Sequence, residues 1–75
     1  MNKKTLNTAL QILKSQKLID RYTIEIVKKD LGKKHYIVYF TPYKWKYAPC
    51  IHFSYTCRYD ATQVKNILYN NYIKQ

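Results

Sequence analysis

Glycine, proline, cysteine and acidic side chains are all scarce in this 75-residue chain, and each scarcity excludes something. Gly32 is the only glycine, so one position alone takes a left-handed backbone conformation at no steric cost, and a turn is expected there. The two prolines, Pro42 and Pro49, bracket residues 43–48 and argue for a loop that leaves a sheet rather than a continued ladder. Cys50 and Cys57 fall in one predicted strand, about 23 Å apart at roughly 3.3 Å per residue, which excludes a disulfide unless that strand is broken. The four acids, Asp20, Glu25, Asp30 and Asp60, are scattered, and no Ser, His and Asp grouping accompanies them. With no paired groups to divide acid and base roles, no enzyme is expected.

Long apolar runs are lacking too. Nothing approaches the roughly 20 apolar residues of a membrane span, and no charged start precedes a short apolar run as in a secretory signal. A cytoplasmic protein without a membrane partner is expected.

What is present is apolar and cationic. With 47% apolar residues against 24% charged, the composition is that of a globular domain, and its length allows one domain over residues 1–75. Such a chain buries only about 60 to 65% of its unfolded surface, so the core is small. Fourteen Lys and Arg against the four acids leave a net charge of +10, for which a polyanion is the natural partner. Simple solubility is the alternative reading of that charge. Lys, Asn, Ile and Tyr make up 34 of the 75 residues, and their AT-rich codons suggest a low-GC source such as a Gram-positive bacterium, its phage or a mobile element.

Leu6, Ala9, Leu10 and Leu13 recur at helical spacing, which predicts a helix over 5–17 capped by Thr5 and ending near Lys17. Tyr22, Ile24 and Ile26 alternate with Thr23, Glu25 and Val27 as a first strand, and His35 to Thr41 returns as a second. Ile51 to Cys57 alternates as a third. Asp60 followed by Gln63 reads as a capping box opening a helix over 61–73, with Val64, Ile67, Leu68 and Tyr72 on one face. The expected fold is therefore α+β in the order α-β-β-β-α, a three-stranded antiparallel sheet with both helices on one face. A winged helix-turn-helix, with residues 22–32 as its opening, is the alternative.

Topology then gathers charge. In such a meander the first helix's start, the first hairpin's tip and the last helix's start lie toward one end of the sheet. Lys3, Lys4, Lys28, Lys29, Lys33, Lys34 and Arg58 converge there, with Lys28 to His35 at the middle, as a phosphate-contacting surface. Lysines at a hairpin tip also guard a sheet against aggregation, which is the competing reading.

The same element order, with Leu6, Asn7 and Gln11 in the first helix and Gly32-Lys33-Lys34-His35 in the hairpin, resembles the double-stranded-RNA-binding domain. Those residues are similar to that family's first-helix pattern and to its Gly-Pro-x-His loop. The chain departs from the pattern at Thr8, where the family has Glu. It departs again in the last helix, where Ala61 and Thr62 replace lysines, Val64 replaces alanine, and Lys65 alone matches the family's basic motif. The resemblance implies recognition of duplex RNA by shape, through phosphate and 2′-hydroxyl contacts.

Tyr43-Lys44-Trp45-Lys46-Tyr47 offers a second surface at the sheet's other end. Alternating aromatics and lysines suit stacking of unpaired bases, a protein docking site, or a lid in which Trp45 folds back over the core. Nine tyrosines plus Trp45 carry more aromatic surface than one small core can hide. They point to an alternative function, a phage- or mobile-element-type accessory subunit that docks on a polymerase, primase or nuclease. His35, Cys50, His52 and Cys57 have the residue types of a zinc site. Cys50 and His52 are nevertheless expected on the face opposite Ile51 and Cys57 on the same face as Ile51, so neither a metal nor a cofactor is expected.

Overall fold

The first helix, α1, forms over Lys3–Ser15 in this computed structural model, which describes residues 2–28, 34–43 and 48–74, with Lys28 and Lys34 described by backbone alone. Leu6, Ala9, Leu10 and Leu13 form its buried stripe. Capping falls to Asn2 rather than to Thr5. The Asn2 side-chain oxygen accepts from the Thr5 amide at 2.9 Å and from the Thr5 hydroxyl at 3.0 Å, so the helix starts earlier than its apolar pattern suggests.

Its other end also differs from expectation, because Lys17 lies beyond the helix with φ 58°. The Leu18 amide donates to the Leu13 carbonyl and the Lys17 amide to the Lys14 carbonyl, each at 3.0 Å. These paired bonds make a Schellman ending, in which the left-handed position usually belongs to glycine. The chain thus turns left-handed at a lysine.

Strands β1 (Ile19–Lys28), β2 (Lys34–Pro42) and β3 (Cys50–Ser54) form one antiparallel sheet in the order β1-β2-β3. The first strand begins three residues before Tyr22. Ile19 pairs with Pro42 and Arg21 with Thr41, leaving Asp20 as the extra residue of a bulge. That residue shifts the alternation so that Ile19 shares the inner face with Tyr22 and Ile24 although it is out of phase with them. A strict period of two conceals it. The third strand is shorter than the expected 51–57 and ends at Ser54, where side-chain bonding competes with the ladder. The Ser54 hydroxyl lies 2.8 Å from the Thr56 hydroxyl and accepts from the Thr56 amide at 3.3 Å, while the Cys57 amide donates to the Ser54 carbonyl at 3.1 Å. Cys57 therefore lies beyond the strand, and neither cysteine is in a disulfide.

Helix α2 (Ala61–Leu68) opens on the capping box. The Gln63 amide donates to Asp60 Oδ1 at 2.8 Å, and the Asp60 amide donates to Gln63 Oε1 at 2.9 Å. A π-helical turn, Tyr69–Ile73, continues it and is closed by the Lys74 amide on the Tyr69 carbonyl at 2.7 Å. The buried positions consequently run Val64, Leu68, Ile73, and the wider turn brings Ile73 rather than Tyr72 fully under the core. Tyr72 packs at the edge instead, its ring meeting Phe40 edge-on with centroids 6.5 Å apart.

One core holds the fold together. The inner face of the sheet presents Val38 and Phe40 of β2 and Ile51 and Phe53 of β3, and these meet the apolar stripes of both helices. Both helices thus lie on one side, in the α-β-β-β-α arrangement. Residues 22–28 are strand, so the helix-turn-helix alternative is not the one the chain adopts. No helix is long and apolar enough to cross a membrane among the described residues. Among the described residues no helix covers the outer sheet face, where Thr23, Glu25, Tyr39, Cys50 and His52 are exposed.

Candidate nucleic-acid interface

The ladder of the hairpin extends past the core. Lys28 and Lys34 are the last paired residues of its ladder, and Lys29 and Lys33 lie outside the described residues. Toward this end the inner face loses its cover: Ile26, paired with Tyr36, is 52% exposed although Ile24 is packed on the core. Tyr36 itself is covered by Tyr55, whose ring stacks on it with centroids 6.0 Å apart. The described chain accordingly measures 38 × 23 × 17 Å, longer than a rounded domain of this size.

Lys3 and Lys4 are exposed on the first turn of α1, the end of the helix that lies toward the hairpin. A hydrogen bond from Tyr22 of β1 to Asn7 of α1 fixes the relative height of helix and strand. From that level the helix rises about 6 Å to Lys3 at 1.5 Å per residue, and the strand about 20 Å to Lys28 at roughly 3.3 Å per residue. Along the sheet the backbones of Lys3 and Lys28 are thus about 14 Å apart. Arg58 is exposed two residues before the α2 cap and four after Ser54, the end of β3 that pairs with His35.

Of the other two expected residues, His35 lies next to Lys34 at the hairpin end and Lys65 lies near the far end of α1. His35 is half-buried on the outer sheet face between Val27 and Ser54. Lys65 is half-buried one turn into α2, where it lines a groove with Leu13, Gln16, Leu18, Asn66 and Tyr69 near the far end of α1. Asn7 and Gln11 of the first-helix pattern are both engaged by the Tyr22 hydroxyl. Their amides therefore hold helix to strand.

Of the second surface, Tyr43 is described, and Lys44, Trp45, Lys46 and Tyr47 lie outside the described residues. Tyr43 is 60% exposed, its amide donates to the Leu18 carbonyl at 3.3 Å, and its ring lines a second groove with Lys17, Pro42 and Ile73. The placing of Leu18, Tyr69 and Lys74 around these grooves is not visible in the helical or strand periodicity. The one sequence signal for it is the spacing of Leu13 and Leu18, the apolar pair that accompanies a Schellman ending.

On the outer face, Cys50 Sγ lies 3.9 Å from His52 Nε2, and the neighbouring Tyr39 hydroxyl bonds to Cys50. That bond first, and then the charge and burial around it, holds the Tyr39 hydroxyl above the usual tyrosine range. No group of three His, Cys, Asp or Glu converges as for a metal ion among the described residues. Set against known protein families, curated proteins and solved structures, the chain matches none, so what this surface can do is argued from its own residues and geometry.

Proposed function

We propose that this protein is a small, non-catalytic nucleic-acid-binding domain that holds a phosphate backbone at the end of the molecule where the hairpin projects. The observation that carries this reading is the pair Lys3 and Lys4 on the first turn of α1, in a chain of net charge +10. Cations at a helix N-terminus face the positive end of the helix dipole, which costs about 0.3 to 1 kcal/mol each. No acid stands in that turn to offset them. An arrangement that disfavours the fold and attracts anions is better explained by a ligand than by stability, and exposed helix amides favour phosphate further.

The lysines of α1, the strand ends Lys28 and Lys34, and Arg58 before α2 belong to separate elements, which suits an extended backbone rather than one compact anion. Duplex RNA is the form that the likeness to the double-stranded-RNA-binding domain favours, since the element order is the same and that family reads shape and phosphate. Binding is tested with duplex RNA, duplex DNA and both single strands over a salt series. Each neutralised phosphate adds about 0.9 to the slope of log affinity against log salt for a duplex. Undetectable binding at low salt, or binding indifferent to salt, rejects the reading.

A second reading, a phage- or mobile-element-type accessory subunit for a nucleic-acid enzyme, is favoured by Tyr43, whose ring is 60% exposed at the opposite end of the sheet.

A further inference from the structure

The two grooves on either side of Leu18 are one feature. They share Leu18 and Tyr69 as a common wall, and they enclose about 400 and 210 Å³ on its two sides. Their floor is aliphatic: Leu13 and Pro42 are fully buried, Ile73 is 5% exposed, and Leu18 packs against the core. Lys65 flanks the larger groove, and Lys17 and Lys74 flank the smaller. No acid is among the described residues that line either one. The feature lies at the pole away from the hairpin, where α1 ends and the π-helical turn closes the fold.

We infer that this double groove is a docking site for an acidic segment of a partner protein that seats one apolar side chain in each depression. Charge complementarity selects the sign of the partner, because three ammonium groups ring apolar walls in a chain of net charge +10. Shape selects its class. A duplex is too wide to enter depressions of this size, and the floors are Leu, Pro and Ile, which offer a base no ring on which to stack. The exposed rings of Tyr43 and Tyr69 stand at the walls, and a single strand stacked on them is the occupant that the displacement test excludes. Aliphatic floors bury aliphatic or aromatic side chains, and the lysines at the rim are left to meet carboxylates. Tyr69, 37% exposed on the dividing wall, is the central anchor, and aromatic residues at such positions dominate binding energy. The site is independent of the phosphate-binding reading, since it uses neither Lys3, Lys4, Arg58 nor the hairpin.

The probe is a short labelled peptide alternating Asp and Glu with Leu and Phe, compared with a counterpart carrying Lys at every acidic position. Fluorescence anisotropy measures affinity for the full chain, and amide chemical shifts locate the contact. The acidic peptide is expected to bind, to weaken with salt, and to move the amides of Leu18, Asn66, Tyr69 and Lys74. Tyr69→Ala and the pair Lys65→Glu with Lys74→Glu are each expected to weaken it by about tenfold or more, with the fold verified by circular dichroism. Tyr69→Ala and Lys74→Glu alone leave duplex binding unchanged, and Lys3→Glu with Lys4→Glu leaves peptide binding unchanged, so failure of one reading is separable from failure of the other. The inference is overturned if the acidic peptide does not bind, if its lysine counterpart binds as well, or if the shifts fall outside the groove. It is also overturned if a single-stranded nucleic acid displaces the peptide and loses affinity with Tyr69→Ala.

Discussion

The Tyr22 hydroxyl donates to Asn7 Oδ1 at 2.5 Å and accepts from Gln11 Nε2 at 2.6 Å, tying β1 to two successive turns of α1. Asn7 and Gln11 lie four apart on one helix edge, and Tyr22 is the first residue of β1 after the bulge to face inward. The contact sets how far the hairpin projects beyond the helix layer. Tyr22→Phe removes both bonds while keeping the ring, and is expected to cost about 1 kcal/mol. In a domain of this size that lowers Tm by roughly 4 to 8 °C. Asn7→Ala should cost less in the Tyr22→Phe background than alone, because the two residues share one bond. Additive losses in a denaturation cycle would show that the contact carries no energy.

Lys3 and Lys4 should separate stability from binding. Changing both to Glu puts anions at the positive end of the α1 dipole and is expected to raise stability by about 0.5 to 1 kcal/mol. The same change should weaken duplex binding and reduce its salt slope by about 0.9 for each phosphate no longer neutralised. Opposite signs in thermal denaturation and in salt-titrated binding are the signature; a fold destabilised by the double change contradicts it.

Lys17 occupies a left-handed position at φ 58°. Lys17→Gly removes the steric cost that its Cβ imposes there, and is expected to stabilise the domain by about 0.5 to 1 kcal/mol after the greater unfolded-state freedom of glycine is counted. Urea denaturation measures the gain directly.

The π-helical turn makes its own prediction. Because it carries Ile73 under the core, Ile73→Ala should cost about 2 kcal/mol or more, the range for buried aliphatic truncations. Asn70, exposed on the same turn, should tolerate Ala within about 0.5 kcal/mol. Comparable costs at the two positions in urea denaturation would place the turn in a different register.

Tyr39 should titrate above the ordinary tyrosine value. Its hydroxyl bonds to Cys50, and that bond, with lesser contributions from the Cys50 charge, burial and the Glu25 charge, raises it above the ordinary value of 10.0. A raised folded value means that the native state holds the proton more tightly than the unfolded chain. The associated stability is fully present below the ordinary value and is lost as pH rises through the folded one. Ultraviolet difference titration should show the Tyr39 tyrosinate forming late, and Cys50→Ala should move it back toward the ordinary value.

Much of the fold is legible in local pattern. The α1 stripe of Leu6, Ala9, Leu10 and Leu13 is strongly periodic, and the Asp60 and Gln63 capping box is a local signal that needs no tertiary partner. Alternation in β2 and β3 likewise locates the inner face. What escapes is the set of places where the period breaks. The bulge at Asp20 hides Ile19, the π-helical turn exchanges Tyr72 for Ile73, and the Ser54 side chain ends β3 early. Each adds or diverts a residue against a constant period, so a pattern reading passes over it. The candidate site is legible as composition and only partly as position, since a lysine count carries no coordinate.

The sequence alone determined the element order, the apolar faces and the cationic character, because these follow from periodicity, caps and charge, all of them local properties. Only the tertiary structure decided which lysines stand together. The helix-to-strand tie at Tyr22 leaves the backbone of Lys3 about 14 Å short of Lys28 along the sheet. Packing between α1 and α2 turned Lys65 away from both, toward a groove at the opposite pole. Those outcomes depend on how three elements pack in space, and no single segment of the chain encodes them.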